Sequence, residues 1–175
     1  MSPVMSQLSL ESITLFAHLT PEERELVRPI FFERAYPANA RVIAENEAGR
    51  EMFILVKGKV RIMKTMLLPG LDSDILVGKN PSKVLATLTG EAHPVFGEMG
   101  LVSDSPRSAT VETLEESSFL VTDRERFFGL VEQEPRLGAR LLAALCERMA
   151  EMVRSSNAEV MKLTTALALI LSGRR

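Results

Sequence analysis

Glu51-Met52-Phe53-Ile54-Leu55-Val56-Lys57-Gly58-Lys59-Val60-Arg61-Ile62-Met63 is the stretch that sets the fold class. Two runs of apolar and β-branched residues flank Lys57-Gly58, a turn signal short enough for a hairpin. In the second run Val60 and Ile62 alternate with Lys59 and Arg61, as a strand with one wet face should. Outward from this pair, Phe31–Tyr36 and Arg41–Ala44 precede it, punctuated by Pro37-Ala38-Asn39 and Glu47-Ala48-Gly49. Val84–Leu88, Pro94–Phe96, Ala109–Leu114 and Ser118–Val121 continue the series after it. About eight short strands with such turns predict a sandwich or jelly roll. The fold class expected is therefore mainly β with flanking helices (α+β), a jelly-roll barrel of the double-stranded β-helix kind. Leu67–Lys83, with two Pro and two Gly, reads as a long surface connection of a hairpin, with Ile75–Val77 extended.

The flanks carry helical signals. Thr20-Pro21-Glu22-Glu23 combines a capping hydroxyl, Pro at the first helical position and Glu three residues after the cap. Leu26, Val27 and Ile30 are expected to give that short helix its buried face. Ser9–Leu19 reads as another short helix, with Leu10, Ile13 and Phe16/Ala17 at helical spacing. After Asp123 the helical period returns. One helix carries Phe127, Leu130 and Val131 and ends near Glu134-Pro135. A long one then repeats Leu141, Leu145, Met149, Met152, Ser156, Val160, Leu163, Leu167 and Ile170 at about 3.6 residues per step. Residues 1–135 are thus expected to hold the short helices, the barrel and a hinge helix, and residues 136–172 the long helix of the same domain. Only the first part of that stripe can lie over one small barrel, since about 30 helical residues reach about 45 Å. A homodimer through the long helix is expected to cover the rest.

Composition narrows the function. The 175 residues are 46% apolar and 25% charged with a formal net charge of −2, which suits one packed domain and gives no basic field for nucleic acid. Cys146 stands alone, excluding a disulfide framework and four-cysteine metal sites, and is expected to be a small buried residue. His18 and His93 are too few for a His-rich metal site, so neither a catalytic nor a metal-ligating set is assembled. Met1–Leu10 lacks the form of a signal peptide, and Thr164–Leu171 is too short to span a membrane. A cytoplasmic protein without membrane association is the expectation.

The chemistry concentrates in Phe96-Gly97-Glu98-Met99-Gly100-Leu101, six further residues, and Arg107-Ser108-Ala109-Thr110-Val111. A strand ends at Gly97, where a ligand can approach the backbone closely. A half-turn of helix starts at Glu98 and presents unpaired N–H groups suited to an anion. Arg107 can fork onto two phosphate oxygens, and Ser108 adds a hydroxyl donor. Glu98 would repel that anion unless it accepts a hydrogen bond from a hydroxyl of the same ligand. A sugar phosphate with a free hydroxyl near the phosphate satisfies all of these groups together.

This pattern resembles the phosphate-binding cassette of cyclic nucleotide-binding domains, and Gly49-Arg50-Glu51 through Val60 is similar to the strand–glycine–strand block of the same family. The likeness runs from about Leu15 to Asn157 and is nearest in kind to the sensory halves of catabolite activator-type regulators. It implies that Glu98 binds the ribose 2′-hydroxyl, Arg107 the cyclic phosphate, Ser108 a phosphate oxygen, and the backbone of Gly97 and Met99 the sugar-phosphate. It also implies a purine contact from the long helix at Ser156-Asn157, where the apolar stripe is interrupted. Two departures stand out. Ala92-His93-Pro94-Val95 widens the usual spacing after Gly90-Glu91, and the Leu67–Lys83 connection is longer than usual. A helix-turn-helix reader does not follow before Gly173-Arg174-Arg175, so direct nucleic-acid binding by these residues is not expected. The function implied is a regulatory module that takes a cyclic mononucleotide, cyclic AMP first, and signals through its long helix. Cyclic GMP stays open as ligand, the downstream protein partner is unknown, and the alternative is a dimerisation module with a vestigial pocket.

Overall fold

The computed structural model describes residues 9–66 and 82–172. Among these residues eight strands are present: β1 Phe32–Tyr36, β2 Arg41–Ile43, β3 Glu51–Lys57, β4 Lys59–Thr65, β5 Ser82–Thr89, β6 Val95–Phe96, β7 Thr110–Thr113 and β8 Ser117–Asp123. They form two four-stranded antiparallel sheets, ordered β1-β8-β3-β6 and β2-β7-β4-β5. This is the jelly-roll architecture expected. β4 and β5 pair from Lys59↔Thr89 out to Thr65↔Ser82, so the long connection does join two arms of one hairpin. Ile75–Val77 lies outside the described residues.

The two sheets are buried differently, and the sequences of β3 and β4 show why. On β3, Phe53 and Leu55 point between the sheets with Val60, Phe96, Val111, Phe119 and Val121. Met52 and Ile54 point to the other face and pack against Phe16, Leu101, Phe127 and Leu141 from the helical layer. A strand covered on both faces needs an unbroken apolar run, which Met52–Val56 supplies. β4 has one wet face, where Arg61 pairs with Glu112 of β7 at 2.9 Å. The aromatic centre between the sheets is tightly organised: Phe53 and Phe96 stack at 5.7 Å, and Phe119 meets both edge-on.

The helical layer contains α1 Pro21–Val27, α2 Glu98–Val102, α3 Arg124–Gln133 and α4 Pro135–Ser172. Thr20 caps α1 in a full capping box with Glu23. Val27 and Ile30 are buried as expected, but Leu26 is 46% exposed. One residue of helix rotation, about 100°, carries Leu26 off the face that Val27 buries. Ser9–Leu19 is not one helix. It forms two 3₁₀ turns, Leu10–Ser12 and Thr14–Phe16, joined by an extended Ile13. Leu10, Ile13, Phe16 and Leu19 are all buried, and a spacing of three suits the 3₁₀ period better than the α period.

α3 is capped by Asp123, which accepts from Arg126 N at 2.9 Å. The chain breaks at Glu134 (φ −125°, ψ 72°) and resumes as α4 at Pro135, which is suited to a helix's first turn. Over 38 residues α4 reaches about 57 Å. Leu137, Leu141 and Leu145 are buried on the barrel side, whereas every residue from Glu151 to Ser172 is exposed. Cys146 is exposed, contrary to the expected burial, because it follows Leu145 by one helical step and so faces away from the barrel.

Candidate functional site

β6 ends the first sheet at Phe96, held opposite Phe53 of β3. The next residue, Gly97, has φ 82° and ψ 3°, a left-handed conformation that lets the chain turn directly from strand into α2. α2 has only five residues, and its orientation comes from Leu101, fully buried in the helical core. With Leu101 as anchor, Glu98 and Gly100 are buried on the barrel side and Met99 is 42% exposed. Ser103 closes the turn by donating to the Met99 carbonyl at 3.0 Å.

The return segment is pinned by its backbone. Arg107 N donates to Glu47 O and Asn46 N to Arg107 O, both at 2.9 Å, so the Arg107 side chain is directed inward. The guanidinium lies in a slot made by three glycines. A Cβ on Gly49 would stand 2.4 Å from Arg107 Nε, and one on Gly100 would stand 2.7 Å from Nη1. Nη1 donates to the Gly97 carbonyl at 3.0 Å. Arg107 is only 9% exposed, yet no carboxylate among the described residues lies within ion-pair distance of it. Burial pulls its pKa below the ordinary arginine value, opposed by the charges of Glu51 and Glu98. Arg107 is thus a buried cation with no direct counter-ion among the described residues.

Glu98 is 3% exposed and pairs not with Arg107 but with Arg148 of α4, whose Nε lies 3.3 Å from Oε1. Arg148 also donates to the Val95 carbonyl at the start of β6. Arg148 went unnoticed in the sequence. Arg136, Arg140, Arg148 and Arg154 all lie on the same helix, and helical spacing alone gives no reason to single one out. Lys64 is a second missed neighbour, donating to the Ser108 carbonyl at 3.2 Å.

These groups surround a cavity of about 490 Å³. Gly97, Glu98, Met99, Arg107 and Ser108 form one end of its lining. Ile62, Leu85, Leu88 and Val111 give it apolar sheet walls, and Arg148, Met152, Ser155 and Ser156 close it from α4. Asn157 is not part of the lining. The helical pair at the cavity is Ser155 and Ser156, one residue earlier than Ser156-Asn157, because a further 100° of rotation carries Asn157 away. The widened spacing after Gly90-Glu91 is absorbed outside the cavity. Gly90–Ala92 is a 3₁₀ turn, His93 is left-handed (φ 44°), and no residue from 90 to 94 lines the cavity.

The sequence model of the cyclic nucleotide-binding domain matches residues 33–134. The chain is 30% identical over 138 residues to the cyclic AMP receptor protein of Thermus thermophilus, covering 78% of this chain and 57% of that protein. It is 32% identical over 107 residues to the cAMP-dependent protein kinase regulatory subunit of Neurospora crassa, covering 61% of this chain and 24% of the subunit. The chain therefore spans less than two thirds of these relatives. Among solved structures, the Thermus thermophilus catabolite activator protein superposes with a TM-score of 0.69 at 30% identity, covering 86% of this chain and 63% of that one. A cyclic nucleotide-binding domain from Methylobacillus flagellatus gives 0.71 at 18% identity over 92% and 95% of the two chains, a likeness of fold alone. With the family's sequence matched over the barrel and a solved relative superposing at a TM-score of 0.69, the chain belongs to the cyclic nucleotide-binding domain family.

Proposed function

We propose that the cavity binds a cyclic purine mononucleotide, cyclic AMP first, and that the domain is a non-enzymatic regulatory module. The observation that carries this reading is the buried, unpaired Arg107 guanidinium opening on the same cavity as the Glu98 carboxylate. Arg107 takes the cyclic phosphate, with Ser108 and the N–H groups at the start of α2 completing its shell. Glu98 takes the ribose hydroxyl, sharing its charge with Arg148. Ser155 and Ser156 face the base. Relatives named for cyclic AMP and for cyclic GMP both match the chain, so cyclic AMP is the first ligand to test and cyclic GMP the second.

Binding is transmitted through packing. Leu101 of α2 belongs to one apolar cluster with Phe127 and Leu130 of α3 and Leu137, Leu141 and Leu145 of α4. Drawing the cassette onto a phosphate moves Leu101, and α4 answers by rotating about the break at Glu134. The distal half of α4 exposes Leu163, Leu167 and Ile170 by 55–64%, which supports a homodimer through paired long helices.

The test is titration calorimetry with cyclic AMP and cyclic GMP. A ligand of about 22 non-hydrogen atoms, at roughly 0.3–0.4 kcal/mol each, binds near micromolar. Arg107→Ala should weaken binding by about 2–5 kcal/mol, roughly 30- to 5,000-fold. Unchanged affinity would refute the assignment. No heat with either nucleotide, alongside a stable dimer, would favour the interaction module with a vestigial pocket.

A further inference from the structure

Away from the nucleotide cavity, a groove of about 730 Å³ runs between α1 with its following turn and α3. Its floor is apolar, made by Leu26, Pro29, Ile30, Gly129 and Leu130. Carboxylates of Glu25, Glu125 and Glu134 edge it, and at one end Asp123 is paired with Arg126. The two walls are built alike. Glu25/Pro29 and Leu26/Ile30 are i,i+4 neighbours on one side, and Glu125/Gly129 and Leu130/Glu134 on the other.

Gly129 is the informative residue. It sits in the interior of α3, where glycine is less favourable than alanine. A Cβ on any of the other six described glycines would come within 3.0 Å of another atom, so each of those glycines is used in a close contact within the chain. A Cβ on Gly129 would meet nothing within 4 Å. Among the described residues, no packing uses the dip that Gly129 leaves in the helix surface. Leu26, 46% exposed, stands on the opposite wall. Among the described residues the side chains of Glu125 and Glu134 have no ion pair or hydrogen bond.

We propose that this groove docks a basic amphipathic segment of a partner protein. An apolar side chain of the partner sits over Gly129, between Leu26 and Leu130, and flanking lysines or arginines meet Glu125 and Glu134. Charge complementarity selects a basic occupant, since Asp123 is matched by Arg126 and Glu25 by Arg28, which leaves Glu125 and Glu134 on the lining without an ion pair among the described residues. The seat for one large side chain within a polar rim is the arrangement that concentrates binding energy at interfaces.

The probe is a fluorescein-labelled 14-residue peptide of leucine and lysine in helical amphipathic order, followed by anisotropy with the full chain. Its counterpart has glutamate in place of every lysine. The lysine peptide should bind at least tenfold more tightly than the glutamate peptide, and more weakly as salt rises. Gly129→Leu, which fills the dip, should weaken it at least fivefold. The surface pair Glu125→Lys/Glu134→Lys should do the same without touching the core. Circular dichroism melts check that each variant is folded. The proposal is overturned if the lysine peptide does not bind, if both peptides bind equally, or if the groove variants bind it unchanged. It is also overturned if binding survives in the groove variants and is lost in Leu163→Glu/Leu167→Glu, which places the peptide on α4.

Discussion

At Gly49 and Gly100 a single methyl group separates stability from ligand recognition. A Cβ on Gly49 meets only the end of the Arg107 side chain, which can swing aside. Gly49→Ala should therefore leave the melting temperature within a few degrees of the parent while weakening cyclic nucleotide binding at least tenfold, as read by calorimetry. A Cβ on Gly100 meets the backbone carbonyl of Gly49 at 2.3 Å, which cannot yield so readily. Gly100→Ala should cost about 1–3 kcal/mol in urea melts, the usual penalty for overpacking. Residues contiguous in the cassette were legible from their types: Gly97 for the turn, and Glu98 and Arg107 as charged groups on one cavity. Arg148 and the Gly49 slot were not, because neither touches the cassette until the chain returns to it in space.

Among the elements, α2 is too short to hold itself. Five residues form little helix in isolation, and the burial of Leu101 supplies the orientation that Glu98 needs. Leu101→Ala should destabilise by about 2–5 kcal/mol in urea melts followed by circular dichroism. The β4 end carries a pH-dependent contact. Glu45 accepts from the backbone N–H of Thr65 at 2.8 Å, and that bond, aided by the charge of Lys64, holds its carboxyl below the ordinary glutamate pKa. A lowered folded pKa stabilises above the unfolded value, about 4.3, and the contribution is lost as pH falls through the folded one. Glu45→Gln should therefore lose less stability than the parent between pH 7 and pH 3, measured by urea melts at both. At this scale the capping box at Thr20 was legible because its bonds close within three residues. The 3₁₀ turns at Leu10–Phe16 were misread as α-helix because spacings of three occur in both patterns.

On the scale of the whole molecule, the proximal half of α4 is part of the barrel's core and the distal half is bare. Val160, Leu163, Leu167 and Ile170 are each more than half exposed on a helix that the barrel no longer supports. A dimer seam there should be visible by analytical ultracentrifugation, and Leu163→Glu/Leu167→Glu should shift the chain to monomer. The same variant should keep the barrel's melting transition, since neither residue touches the core.

The amino-acid order alone determined what depends on near neighbours: eight strands from their turns and alternation, the caps, the helical stripe, and the cassette whose residues Gly97-Glu98 and Arg107-Ser108 line one cavity. Tertiary structure decided which partners those groups meet. Glu98 pairs with Arg148 fifty positions away, Arg107 fits a slot that begins at Gly49, and Leu26 turns outward where a periodic reading buries it. The reason is range. Dihedral preference, capping and side-chain period act over a few residues, whereas the counter-ion of a buried charge is chosen by whichever segment the packed core brings alongside.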